Sequence, residues 1–168
     1  MKNSNLLTKI AEIRTALKKQ LFNCALTMTL TLPDICGKVE YPQDNSGDRF
    51  TKWFDVYAIP YFTVEAKVLP GENKINYTWL SSKECWKIRN AVLHAGNYKL
   101  EGIDLSLLSF HAHKKCSKIK NHICRDSTEA EIDVNQFCKL LCKAAETYYN
   151  NSENKEAFDI DEVTILDW

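Results

Sequence analysis

Residues 81–97, SSKECWKIRNAVLHAGN, carry the pattern that decides the fold. Cys85, Trp86, Ile88, Val92 and Leu93 recur at the spacing of one face of a helix. Ser81 or Ser82 precedes them as a cap, and Glu84 falls in the first turn, where the helix dipole favours a negative charge. Gly96 supplies a left-handed terminator. On this helix sit Arg89, Asn90 and His94. Five positions of helix amount to ~140° of rotation and ~7.5 Å of rise, so Arg89 and His94 do not share a narrow stripe. Both can still serve one cleft, because helical side chains lean toward the N-terminus and the long arginine stem can reach round from its flank.

Working toward the N-terminus, DRFTKWFDVYAI at 48–59 spaces Phe50, Trp53, Phe54 and Tyr57 as a short helix, capped by Asp48 or Ser46 and ended by Pro60. Between it and the central helix, residues 61–80 mix β-branched positions with a turn signal at Pro70 and Gly71, and read as a connecting loop. From Asn5 to about Leu32 the apolar residues Leu6, Ile10, Ile13, Leu17, Leu21, Cys24 and Met28 follow one another at steps of three or four, which predicts a single long amphipathic helix. Pro33 has no N–H to donate, so LPDICG at 32–37 is expected to be the turn that ends it, with Asp34 at a helix terminus. The next dozen residues, through Gly47, read as loop.

Beyond Gly96, residues 103–113 (IDLSLLSFHAH) are strand-like, and residues 128–133 are expected to pair with them. Asp133 then caps a final helix, with Gln136 three positions on completing a capping box and Phe137, Leu140, Leu141, Ala144 and Tyr148 forming its core face. Cys138 and Cys142 fall within that helix as core positions. Residues 153–168 hold six acids against one lysine, yet Phe158, Ile160, Val163, Ile165, Leu166 and Trp168 predict that the segment docks on the body. The pattern gives a mainly α fold: a bundle of four to five helices with a small β appendage.

Bulk properties agree with one domain over residues 1–168. A chain of this length buries roughly 70% of its extended-chain surface and needs no disulfide or metal to fold. Lys plus Arg and Asp plus Glu are 22 each, which argues against wholesale polyanion binding but leaves local patches open. Seven cysteines with no Cys-x-x-Cys pair suggest neither a disulfide framework nor a thioredoxin-type motif. Charged residues interrupt the N-terminal apolar pattern, and no later run approaches a membrane span, so a cytoplasmic protein without a membrane partner is expected. No Gly-rich phosphate loop, Ser-x-x-Lys or His-Glu-x-x-His string is present.

A second cluster lies at 111–125, HAHKKCSKIKNHICR, where Lys114, Lys115, Lys118, Lys120 and Arg125 have no acid among them. Such a run suits the track of an RNA backbone, and a solvated loop is the alternative. His111, His113, Cys116, His122 and Cys124 are enough ligands for zinc, but the spacing lacks the usual Cys-x-x-Cys knuckle, and no metal is assigned.

The string Arg89-Asn90-Ala91-Val92-Leu93-His94 resembles the Arg-polar-x-x-x-His signature of the HEPN superfamily (higher eukaryote and prokaryote nucleotide-binding domains). LTLPDICGKVE, RFTKWFDVY and CWKIRNAVLHAGN together also resemble a group of uncharacterised bacterial proteins with the same order of elements. The superfamily resemblance implies a HEPN-like helical bundle, a homodimer, and a metal-independent endoribonuclease without cofactor, of the kind found in bacterial toxin, antiphage or RNA-processing systems, where an antitoxin protein is a further partner. It implies that RNA supplies its own 2′-hydroxyl as nucleophile, that His94 moves the proton, that Arg89 clamps the phosphoryl oxygens and that Asn90 orients one of these two side chains or hydrogen-bonds a phosphate. An auxiliary acidic or polar residue is expected from among Asp34, Arg49 and Asp55. The alternative implication is a non-catalytic HEPN-like module for dimerisation or for binding RNA or protein.

Overall fold

The computed structural model describes residues 4–66, 75–96, 104–108, 123–125 and 129–159. The architecture is mainly α-helical with a small β appendage. Helices α1 (Asn5–Lys18), α2 (Phe22–Thr29), α3 (Leu32–Glu40) and α4 (Ser46–Trp53) come first. A π-helical turn (Phe54–Ala58), a short 3-10 turn (Ile59–Phe62) and strands β1 (Thr63–Ala66) and β2 (Ile75–Thr78) lead to α5 (Ser82–Ala95). Strands β3 (Asp104–Leu108), β4 (Ile123–Arg125) and β5 (Glu129–Asp133) precede α6 (Val134–Asn151) and a final 3-10 turn (Lys155–Phe158).

The helix expected over 5–32 is divided in two. Gln20 takes a left-handed φ of 58°, while the Gln20 N–H donates to Leu17 O at 3.0 Å and the Leu21 N–H to Ala16 O at 2.9 Å. These two bonds form a Schellman termination. No glycine marks it, and the sequence spacing of apolar residues runs through it, so the break is invisible to periodicity; past it Leu21 and Cys24 are exposed, and α2 buries Ala25, Leu26 and Thr29 in place of the expected stripe. The expected turn at 32–37 is instead the start of α3. Pro33 stands in its first turn, where a missing N–H breaks no helical bond and the ring's fixed φ suits the helix.

Residues 48–59 are helical as expected, but the cap is Asn45, whose side chain accepts from the Asp48 N–H at 3.0 Å. Pro60 lies inside the 3-10 turn and does not end the segment. The loop expected over 61–80 contains a hairpin. β1 and β2 pair antiparallel with Thr63 opposite Thr78, and these two hydroxyls share a hydrogen bond of 2.9 Å. The β-branched alternation was the informative signal there.

β5 is the centre of a three-stranded sheet, parallel to β3 and antiparallel to β4. The expected pairing of 103–113 with 128–133 is met by β3 and β5. Arg125 is in β4 opposite Ala130, so the basic run ends in a strand and not in a loop. Lys114, Lys115, Lys118 and Lys120, with His111, His113, Cys116 and His122, lie outside the described residues.

α6 is the central post, packing on α1, α2, α3 and the π-helical turn. Asp133 caps it, accepting from the Gln136 N–H at 3.2 Å. Phe137, Cys138, Leu141, Cys142, Ala144, Ala145 and Tyr148 are buried along one face, and Leu140 only partly. Around α6 the core holds Trp53, Phe50, Phe54, Phe62 and Phe137, all below 2% exposed, each contributing about 1.5–3 kcal/mol of transfer free energy. Phe158 is buried and Asp159 forms an antiparallel bridge with Ser4, so the start of the acidic segment does dock. Residues 160–168 lie outside the described ones. Among the described residues no helix is long and apolar enough to cross a membrane.

Candidate functional site

The site is assembled on α5 by local rules. The Ser81 hydroxyl accepts from the Glu84 N–H at 3.3 Å, and the Glu84 carboxylate accepts from the Ser81 N–H at 2.9 Å, a capping box that fixes the first turn. Gly96, with φ 57°, ends the helix. Cys85, Ile88 and Val92 are buried, which locks the rotation of α5 against α4 and α2. Arg89 and Asn90 are thereby left half-buried and His94 exposed.

α3 is brought beside this face through Gly37. A Cβ there would stand 2.7 Å from the Arg49 carbonyl oxygen, so only glycine lets α3 and α4 approach this closely. The result is that Asp34, in the first turn of α3, reaches Arg89.

Three of the five guanidinium N–H groups have partners. Nε donates to Asp34 Oδ2 at 3.0 Å, and Nη1 contacts both Asn90 Oδ1 at 3.0 Å and His94 Nε2 at 2.8 Å. The Arg89 guanidinium carbon stands 4.9 Å from the centre of the Trp86 ring. That indole is in turn held by Phe50, whose ring centre is 5.1 Å away. Guanidinium can only donate, so at this separation His94 Nε2 acts as the acceptor and the Nδ1–H tautomer of a neutral imidazole satisfies the bond. The two Nη2 N–H groups have no partner among the described residues.

Burial and charge oppose each other at Asp34. The side chains of Arg89 and Asp34 are 18% and 16% exposed. Burial raises the Asp34 carboxyl above its ordinary value, while the Arg89 charge and hydrogen bond and the more distant Arg49 charge pull it back, and burial wins. Asp34 Oδ1 and Arg49 Nε are both buried without a hydrogen-bond partner among the described residues. Of the three auxiliary residues considered, Asp34 touches Arg89, Arg49 acts on Asp34 through its charge, and Asp55 is exposed on the π-helical turn. Trp86 was read from the sequence only as part of an apolar face. Its position one turn before Arg89 was the signal that it could stack on the guanidinium.

A second polar cluster lies on the far end of α3. Glu40 accepts from the Tyr57 and Tyr148 hydroxyls, each at 2.8 Å, at the edge of a cavity of about 430 Å³. Burial and the Glu40 carboxylate push the Tyr57 phenol up to about 12, and the Tyr148 phenol is raised for the same two reasons.

Cys36, Cys85, Cys138 and Cys142 are buried free thiols, and burial raises each of them, so none has the character of a nucleophile. Among the described residues no group of three or more His, Cys, Asp or Glu side chains could hold a metal ion. Comparison with protein-family models, with curated proteins and with solved structures finds no match to this chain.

Proposed function

We propose that the chain is a metal-independent endoribonuclease of HEPN type, working as a homodimer whose two α5 helices line one RNA groove. The observation that carries the reading is the 2.8 Å contact of Arg89 with His94, made by a guanidinium already oriented by Asp34, Asn90 and Trp86. A cation with two N–H groups unpartnered among the described residues, beside an exposed imidazole, is a sufficient kit for phosphoryl transfer when the nucleophile belongs to the substrate. The O2′–P bond forms as the P–O5′ bond breaks. His94 of one subunit takes the 2′-hydroxyl proton, and the protonated imidazole of a second subunit's copy returns one to O5′. Arg89 neutralises the crowded phosphoryl oxygens through a fork that lysine does not offer. Products are a 2′,3′-cyclic phosphate and a 5′-hydroxyl. Lys114, Lys115, Lys118, Lys120 and Arg125 would track the RNA backbone, and an antitoxin protein would be the natural antagonist of such an activity in a bacterial cytoplasm.

The test is cleavage of RNA in EDTA by the purified chain, with Arg89→Ala and His94→Ala each abolishing it while the melting temperature moves little. Activity equal to wild type in both variants refutes the assignment. A second reading, a non-catalytic dimerisation or RNA- or protein-binding module, is favoured by one feature: Arg89 is largely buried and commits three of its donors inside the subunit. It expects both substitutions to lower stability or dimer affinity, with no cleavage by the wild type.

A further inference from the structure

We propose that the Arg89–His94 contact is a latch, released when a phosphate oxyanion takes the guanidinium from the imidazole. This deepens the ribonuclease reading, on which it rests for the identity of the phosphate as an RNA phosphodiester. Arg89 Nη1 contacts His94 Nε2 at 2.8 Å, and a neutral imidazole has one basic nitrogen lone pair. While that lone pair accepts from Arg89, it is not free to accept a proton from a 2′-hydroxyl. The imidazole therefore becomes a base only after Nη1 is diverted.

The geometry defines what diverts it. Nε is held by Asp34 at 3.0 Å and the Trp86 ring lies 4.9 Å from the guanidinium carbon, so the fork is fixed along one edge and one face. The remaining end of the guanidinium carries Nη2, without a partner among the described residues, and Nη1, which now serves both Asn90 and His94. A tetrahedral oxyanion binds that end through two parallel charge-assisted bonds, each stronger than the bond to a neutral nitrogen that one of them replaces. Asn90 Oδ1 keeps the other Nη1 hydrogen at 3.0 Å and prevents the group from turning away. Among the described residues His94 is exposed, and its imidazole makes no bond other than the one to Arg89. Phosphate binding and exposure of the base thus become one event, and the free enzyme holds its base masked.

The sign of one measurement separates this from a site in which His94 simply helps to bind the anion. In an inorganic phosphate titration followed by NMR, His94→Ala removes the competitor for Nη1 and is expected to bind about tenfold tighter than wild type, the effect of one hydrogen bond to a charged group. If His94 were a phosphate ligand, the same variant would bind more weakly, and that result overturns the latch. Because His94 is exposed on the last turn of a helix that alanine favours, the variant is expected to fold. The second readout is the imidazole nitrogen spectrum of the wild type. Saturating phosphate should move His94 Nε2 toward its position in Arg89→Ala, and an Nε2 signal unchanged at saturation also overturns the proposal. Both readouts are independent of cleavage. A wild type that shows them and cuts no RNA retains the latch and loses the ribonuclease reading, whereas one that cuts RNA without them retains the reading and loses the latch.

Discussion

Replacing Asp34 by asparagine separates what holds the protein together from what aims Arg89. The carboxyl group is only 16% exposed, and burial raises it above its ordinary value in spite of the Arg89 bond at 3.0 Å. A carboxyl raised on folding favours its neutral form in the folded protein. Its stability contribution is therefore fully present below the unfolded value near ~3.9 and is lost as the pH rises through the folded value. Asparagine has the shape of that neutral form and retains an acceptor for Nε. At pH 7 the variant should therefore stay within about 1 kcal/mol of wild-type stability, since relief of the buried carboxylate and loss of its ion pair with Arg89 oppose each other. The difference between variant and wild type should shrink as the pH falls through the raised folded value of Asp34. Under the ribonuclease reading, RNA cleavage should nonetheless fall by about 10²-fold, because a neutral amide oxygen holds the guanidinium less firmly than a carboxylate and lets it drift by the ~1 Å that such sites do not tolerate. Urea unfolding followed by tryptophan fluorescence from pH 4 to 7, run beside the cleavage assay, measures both. A loss of more than about 3 kcal/mol at pH 7 would refute the reasoning, since it would mean that the ion pair outweighs the burial of its carboxylate.

Gln20→Gly should stabilise the fold by about 0.5–1 kcal/mol in thermal unfolding, since it relieves a left-handed φ of 58° at some cost in unfolded-chain entropy. Gly37→Ala should destabilise it by about 1–3 kcal/mol, because the new methyl meets the Arg49 carbonyl oxygen at 2.7 Å and α3 must move away from α4; the Asp34–Arg89 bond should weaken with it, and anion affinity at Arg89 reports that change. On the alkaline side, Tyr57 is raised to about 12 by burial and by its bond to Glu40. Its stabilisation is complete below the ordinary phenol value near ~10 and disappears as the pH climbs toward 12. Tyr57→Phe should flatten the fall in stability across that window, as read by circular dichroism, and an unchanged slope would contradict the assignment.

Much of the helical framework was legible because burial imposes a period on the chain. Cys85, Ile88 and Val92 on α5, and Phe137, Leu141 and Tyr148 on α6, announce their faces, and the caps at Ser81, Gly96 and Asp133 are local bonds between residues three or four apart. The break at Gln20 is not legible, since the Schellman bonds there use backbone groups that any residue carries and the spacing of apolar residues runs on through Leu21 and Cys24, which the rotation after the break leaves exposed. Pro33 is ambiguous for a related reason: a proline ends one helix or begins the next with the same sequence signature. β1 and β2 were missed because a hairpin is decided by pairing across eight intervening residues, not by either strand alone.

The candidate site divides along the same line. The sequence by itself determined that Arg89, Asn90 and His94 share one helix, because helical spacing is a local property that follows from the chain's own dihedral angles and caps. Only the tertiary structure decided that Asp34, 55 residues earlier, holds the guanidinium Nε, that Trp86 backs it, and that Arg49 adds its charge. The approach of α3 to α4 at Gly37 is a packing event with no periodic trace. The chemistry of Arg89 depends on that approach, since a guanidinium without its anchor is a mobile cation, whereas one held along an edge and a face offers its remaining N–H groups in a fixed direction.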